Sequence, residues 1–145
     1  MVDALSEIHR VLVPDGVLLD LRPISDRWQI EVVSARGIQE TGRFRDLPIW
    51  LGDDEAANSA VQQAAVNGWF VRTQETFFPY TYSWDRPSEM EEWIEEEWDE
   101  SLELDEEAKR ATRSAWAVGD ADSRVRVNVK LLITSWRKVE AGNFR

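Results

Sequence analysis

The apolar positions change period within the first 21 residues. Leu5, Ile8 and Leu12 recur at helical spacing. Pro14-Asp15-Gly16 then ends the run with a residue that cannot continue the hydrogen-bond ladder and a glycine free to take positive φ. Val17-Leu18-Leu19-Asp20-Leu21 follows as a short, nearly continuous apolar stretch, which predicts a strand covered on both faces, as in a parallel α/β sheet. Trp28 to Ser34 and Ile38 to Arg45 flank Ala35-Arg36-Gly37 and predict a β-hairpin.

Further on, Asp53 or Asp54 is placed to cap a helix whose face carries Ala57, Val61, Ala64 and Ala65 and which ends at Asn67-Gly68. Trp69 to Trp84 reads as a long extended segment, with Pro79 implying a bend or a sheet edge. Ser88 and Glu91 have the spacing of a capping box before a helix striped by Met90, Trp93, Ile94 and Trp98, and Ala108, Ala111, Thr112, Ala115 and Trp116 mark another helix. Val125, Val127, Val129, Leu131 and Ile133 alternate with Arg124, Arg126, Asn128 and Lys130, a strand pattern. The order of elements predicts a single domain, residues 1–145, of α/β class and α+β appearance, with helices packed against one sheet.

Composition narrows the chemistry. There is no cysteine, which excludes disulfides and thiolate chemistry, and one histidine, His9, which removes most metal-site and catalytic-triad arrangements. No apolar run approaches the roughly 20 residues that span a bilayer, and the acidic N-terminal stretch is unlike a signal peptide, so a cytoplasmic protein is expected. The net charge of −11 argues against nucleic acid and membrane surfaces as partners. That charge is concentrated: Asp85 to Glu107 holds 13 acids and one base, Arg86. A solvated helix face accounts for this run, and a docking surface for a basic partner is the alternative.

The stretch EIHRVLVPDGVLLDL, Glu7 to Leu21, resembles the segment of class I S-adenosylmethionine-dependent methyltransferases in which a helix ends in an Arg-Val-Leu-x-Pro-x-Gly turn and feeds the fifth strand. Arg10, Val11, Leu12, Pro14 and Gly16 carry the match. The resemblance implies that the helix up to Asn67, the strand after Gly68-Trp69-Phe70 and the strand from Val125 to Trp136 are the family's next helix, sixth strand and last strand, the last lying antiparallel between the fifth and sixth. GWFVRTQETFFPYTYSWDRPSEMEEWI is similar to the family's stretch from a Gly-aromatic strand to a substrate-side helix, whereas the hairpin is an insertion. The implied fold is a partial Rossmann-like methyltransferase sheet, the C-terminal half without the cofactor half.

The family's cofactor turn needs closely spaced glycines, but Gly16, Gly37, Gly42, Gly52, Gly68, Gly119 and Gly142 never approach within fewer than five positions of one another. No cofactor is therefore expected for the isolated chain. The expected function is a non-catalytic or vestigial methyltransferase-like module for binding or assembly. One alternative is a fragment or split subunit of a methyltransferase, with a separate cofactor-binding half. Another is an unrelated α+β ligand-binding module with an aromatic pocket.

Among individual residues, His9 lacks relay partners, and Glu95-Glu96-Glu97 are scattered around a helix and hydrated. The aromatic side chains fill core or line a ligand wall, and Tyr80, Tyr82 and Trp84 are the candidate substrate-side pocket. Because the family's fourth strand has no counterpart, Val17, Leu18, Leu19 and Leu21 would line an open edge, and a homodimer across it is expected. Cover by Ile30 to Val33 or Ile38 to Phe44 is the alternative. Arg124, Arg126 and Lys130 are expected to face some of the carboxylates between Glu89 and Glu107.

Overall fold

The computed structural model describes residues 1–140 and has mixed α/β architecture. The elements are α1 (Val2–Val11), β1 (Val17–Pro23), β2 (Gln29–Ser34), β3 (Gly37–Arg43), β4 (Arg45–Asp46), α2 (Pro48–Val66), β5 (Phe70–Trp84), α3 (Pro87–Glu97), β6 (Leu102–Glu103), α4 (Glu106–Ala117) and β7 (Arg124–Lys138). Strands β1, β2, β3, β5 and β7 form a five-stranded sheet, and β4 and β6 a separate two-stranded ladder. The chain folds as two compact units. The first comprises residues 1–23, 52–78 and 131–140; the second comprises 24–51 and 79–130.

In the first unit, β1 pairs antiparallel with the end of β7, from Val17 opposite Arg137 to Pro23 opposite Leu131. β5 also pairs with β7, and Thr73 reaches Ser135 across that contact. β7 therefore lies between β1 and β5. One face of this sheet is closed by α1 and α2 around Leu5, Ala60, Ala64, Phe70 and Trp136, with Ile8, Leu12, Leu18 and Trp69 packed against them. The other face of β1 is open: Val17, Leu19 and Leu21 are 51%, 61% and 58% exposed. The apolar run from Val17 to Leu21 is thus not a strand of a parallel sheet covered on both faces. Only its alternate residues are covered, as antiparallel strands allow. The hairpin strands find other partners: β2 pairs with β3 and with the start of β7, and among the described residues neither β2 nor β3 pairs with β1.

The turn before β1 also departs from expectation. Asp15, not Gly16, takes the left-handed conformation, with φ 58°. Gly16 is required for space: a Cβ there would lie 2.7 Å from the Val13 carbonyl oxygen and 3.2 Å from the Leu12 side chain. At the end of α2, Gly68 takes φ 73°, the conformation expected of a helix-ending glycine.

In the second unit the hairpin forms as expected, with Ala35-Arg36 at its tip and Val33 opposite Ile38. β2 also pairs with β7, placing Ile30 opposite Val127 and Val32 opposite Val125, all of them buried. α4 approaches β3 closely enough that a Cβ on Gly42 would lie 2.7 Å from the Ala108 Cβ. The Thr112 hydroxyl donates to the Ala108 carbonyl at 2.8 Å and meets Thr41 Oγ1 at 2.7 Å.

Helix starts differ from the expectations set by the sequence. α2 begins at Pro48, several residues before Asp53, because proline suits the first helical turn. The α3 N-cap is Arg86 with no side-chain cap, and Glu91 pairs with Arg113 instead of closing a capping box on Ser88. α4 carries the side-chain cap, Asp105 accepting from the Ala108 N–H at 2.7 Å. Among the described residues, no helix is long and apolar enough to cross a membrane.

Candidate functional site

The period of two along β5 puts Tyr80, Tyr82 and Trp84 on one face of the strand, and the structure brings all three together. Tyr80 meets Tyr82 edge-on at 5.2 Å between ring centroids, and Tyr82 stacks on Trp84 at 6.0 Å. α3 brings Trp93 to 5.9 Å from Tyr82 and 6.4 Å from Trp84, while Trp98, just beyond its last turn, meets Tyr82 edge-on at 5.2 Å. Trp98 continues the cluster inward to Trp28 at 5.4 Å and Phe44 at 6.1 Å, and Trp28 meets Trp50 at 5.7 Å.

The cluster is graded. Its inner end is core: Phe44 is fully buried, and the buried Trp28 ring donates from Nε1 to the Ile24 carbonyl at 2.9 Å. The Trp50 indole N–H is buried without an acceptor among the described residues, a costly arrangement. Its outer end is surface, with Tyr80 52% and Trp93 37% exposed. The core reading of the aromatic side chains therefore holds at the inner end, while the outer end lies at the surface. The outer rings offer faces for stacking and for cations.

Of the acidic run, β7 engages Asp85. Arg124 pairs with Asp85, Arg126 with Glu31 at 2.6 Å and Lys130 with Asp26 at 3.2 Å. Among the described residues the ion-pair partners of Arg124 and Arg126 are Asp85 and Glu31, which lie outside the expected stretch from Glu89 to Glu107. Arg126 is consumed by its direct cross-strand neighbour, the buried Glu31. Further ion pairs of the run are Glu91 with Arg113, Glu103 with Arg45 and Glu106 with Lys109. The Arg113 guanidinium is held above its ordinary range by its hydrogen bond and charge contact with Glu91. A cleft of about 590 Å³ lies on the α3–α4 side of this unit, lined by Glu91, Glu92, Glu95 and Asp99 above Ile94 and Leu102.

A second cluster, in the first unit, was not legible from spacing. Asp20 and Arg22, on the helix-covered face of β1, bond to each other at 3.2 Å. Arg22 donates to Asn58 of α2 at 2.7 Å and lies 3.8 Å from Asp54. Thr134 joins through Asp20 at 3.4 Å and accepts from the Trp136 indole N–H at 2.8 Å. Two charges amid the apolar run of β1 were the available signal; their partners lie in distant elements. Asp54 thus faces Arg22 as a mid-helix residue instead of capping α2.

His9 is structural. Its Nε2–H donates to the Val139 carbonyl at 3.0 Å, and its ring lies 5.5 Å from Phe70 and 6.2 Å from Trp69. Among the described residues no group of three or more His, Cys, Asp or Glu side chains could hold a metal ion. Compared with family models, curated proteins and solved structures, the chain finds no match.

Proposed function

We propose that this chain is a methyltransferase-like module that retains the substrate-side half of that fold and works by binding or assembly, without an S-adenosylmethionine site of its own. The observation that carries the reading is the position of β7, antiparallel to β1 and lying between β1 and β5. This is the place the resemblance implies for the last strand of the family. The described glycines do not fit the cofactor. Gly16 precedes a strand, Gly37 and Gly42 belong to the hairpin, Gly52 lies within α2, and Gly68 and Gly119 follow helices. None opens a strand-to-helix turn where a backbone could approach a nucleotide.

Titration of S-adenosylmethionine into the chain is expected to give no saturable binding in the micromolar range, which corresponds to about −8 kcal/mol. Saturable binding there would overturn the reading.

A second reading, a split subunit or part of an active methyltransferase, is favoured by the open face and edge of β1. There Val17, Leu19 and Leu21 are exposed, and β7 is the only strand partner among the described residues. In our proposal a second copy of the chain occupies this edge. Two β1 strands running antiparallel about a two-fold axis would satisfy both edges without growing into a filament.

A further inference from the structure

The outer rings of the aromatic cluster and the carboxylates beside them form one surface of defined chemistry. Trp93, 37% exposed, sits on α3 with Glu89 one turn before it and Glu96 one turn after it, and Glu92 adjoins it in sequence. Glu89 and Glu96 are exposed and Glu92 is exposed beside them. Glu89 accepts the Asp85 N–H at 3.1 Å, and none of the three enters an ion pair among the described residues. Tyr82 and Trp84 lie against Trp93, and Tyr80 extends the aromatic row along β5. The faces of tyrosine and tryptophan rings carry negative potential, so this surface combines π-faces with uncompensated carboxylates. That combination selects organic cations over anions and over neutral apolar ligands.

We propose that this surface docks a basic peptide segment of a partner protein, with arginine or lysine side chains laid over Trp93, Trp84 and Tyr80 and paired with Glu89, Glu92 and Glu96. The surface is open: Tyr80 is 52% exposed, whereas sites for free small molecules enclose most of their ligand. Its carboxylates repeat one helical turn apart, about 5.4 Å, a spacing that successive basic side chains on one chain can match. This inference rests on the reading of Tyr80, Tyr82 and Trp84 as a ligand-facing wall. It is independent of the cofactor titration and of the β1 edge.

The test is fluorescence anisotropy of a labelled peptide alternating arginine with serine, titrated with the full chain at low salt. The matched controls are the same peptide with citrulline for arginine and, as competitor, free tetramethylammonium. Saturable binding is expected for the arginine peptide and none for the citrulline peptide. The double variant Glu92→Gln, Glu96→Gln, which leaves the aromatic packing intact, should bind about tenfold more weakly, and Trp93→Leu should weaken binding by a comparable factor. Melting curves of both variants separate lost binding from lost folding. Equal binding of the citrulline peptide, no effect of the double variant, or full displacement by tetramethylammonium at concentrations comparable to the peptide's would overturn the proposal.

Discussion

The two units of this chain close their apolar surface to different degrees. In the unit of residues 24–51 and 79–130, Ile30, Phe44, Met90, Val125 and Val127 are essentially inaccessible, and α4 packs on the hairpin with α3 against α4. In the unit of residues 1–23, 52–78 and 131–140, the buried core is Leu5, Ala60, Ala64, Phe70 and Trp136, while Val11, Val13, Val17, Leu19, Leu21, Val66 and Val71 stay exposed. In β1 an exposed apolar face coincides with an edge that has no second strand partner among the described residues, and this coincidence is what supports the proposed second copy. The comparison teaches that β1 keeps one apolar face uncovered because helices lie on only one side of it.

Breaking the closed unit should have the largest effect. Phe44→Ala removes a fully buried ring that packs edge-on against Trp98, and should cost about 3–5 kcal/mol. Denaturant unfolding followed by tryptophan fluorescence measures it, and a loss below about 1 kcal/mol would show that this core is less closed than its burial indicates.

Gly16→Ala addresses the entry to β1 and should be intermediate. The added Cβ meets a backbone carbonyl at 2.7 Å, so the turn itself must move, at a cost of about 1–3 kcal/mol by overpacking. The same unfolding experiment reads it.

The smallest effect concerns Glu7 and Arg10 on the exposed side of α1. The hydrogen bond from Arg10 lowers the Glu7 carboxyl below its ordinary value of 4.5, so its contribution is present above that value and disappears as pH falls through the lowered one. A Glu7→Gln variant should therefore match the parent at strongly acid pH and melt slightly lower near neutrality. A difference that grows on acidification would reverse the sign.

Legibility followed local pattern. β7 was readable because its alternation from Val125 to Ile133 has few other interpretations, and the hairpin because Ala35-Arg36-Gly37 separates two extended runs, though these alternate imperfectly. The extended segment from Trp69 to Trp84 was equally readable, and Pro79 is accommodated in it because β7 is the only strand partner of β5 among the described residues. What failed was tertiary. Leu18 and Leu19 look alike in sequence, yet one packs under helices and the other faces solvent, because the partner strand is antiparallel and only one face is covered. The Asp20–Arg22–Asn58 cluster joins elements 36 residues apart, and no spacing rule reaches that far. Of the aromatic site, the β5 face was legible from its period of two; the inward path through Trp98 to Trp28 and Phe44 was not.

The claim that the first unit is completed by a second copy is tested most directly by the mass of the chain in solution. Multi-angle light scattering on the eluting peak should give about twice the 16.8 kDa of one chain, and Leu19→Lys, which places a charge in the exposed row of β1, should return monomer or insoluble protein. A monodisperse, well-folded monomer of the unmodified chain at every concentration tested would contradict it.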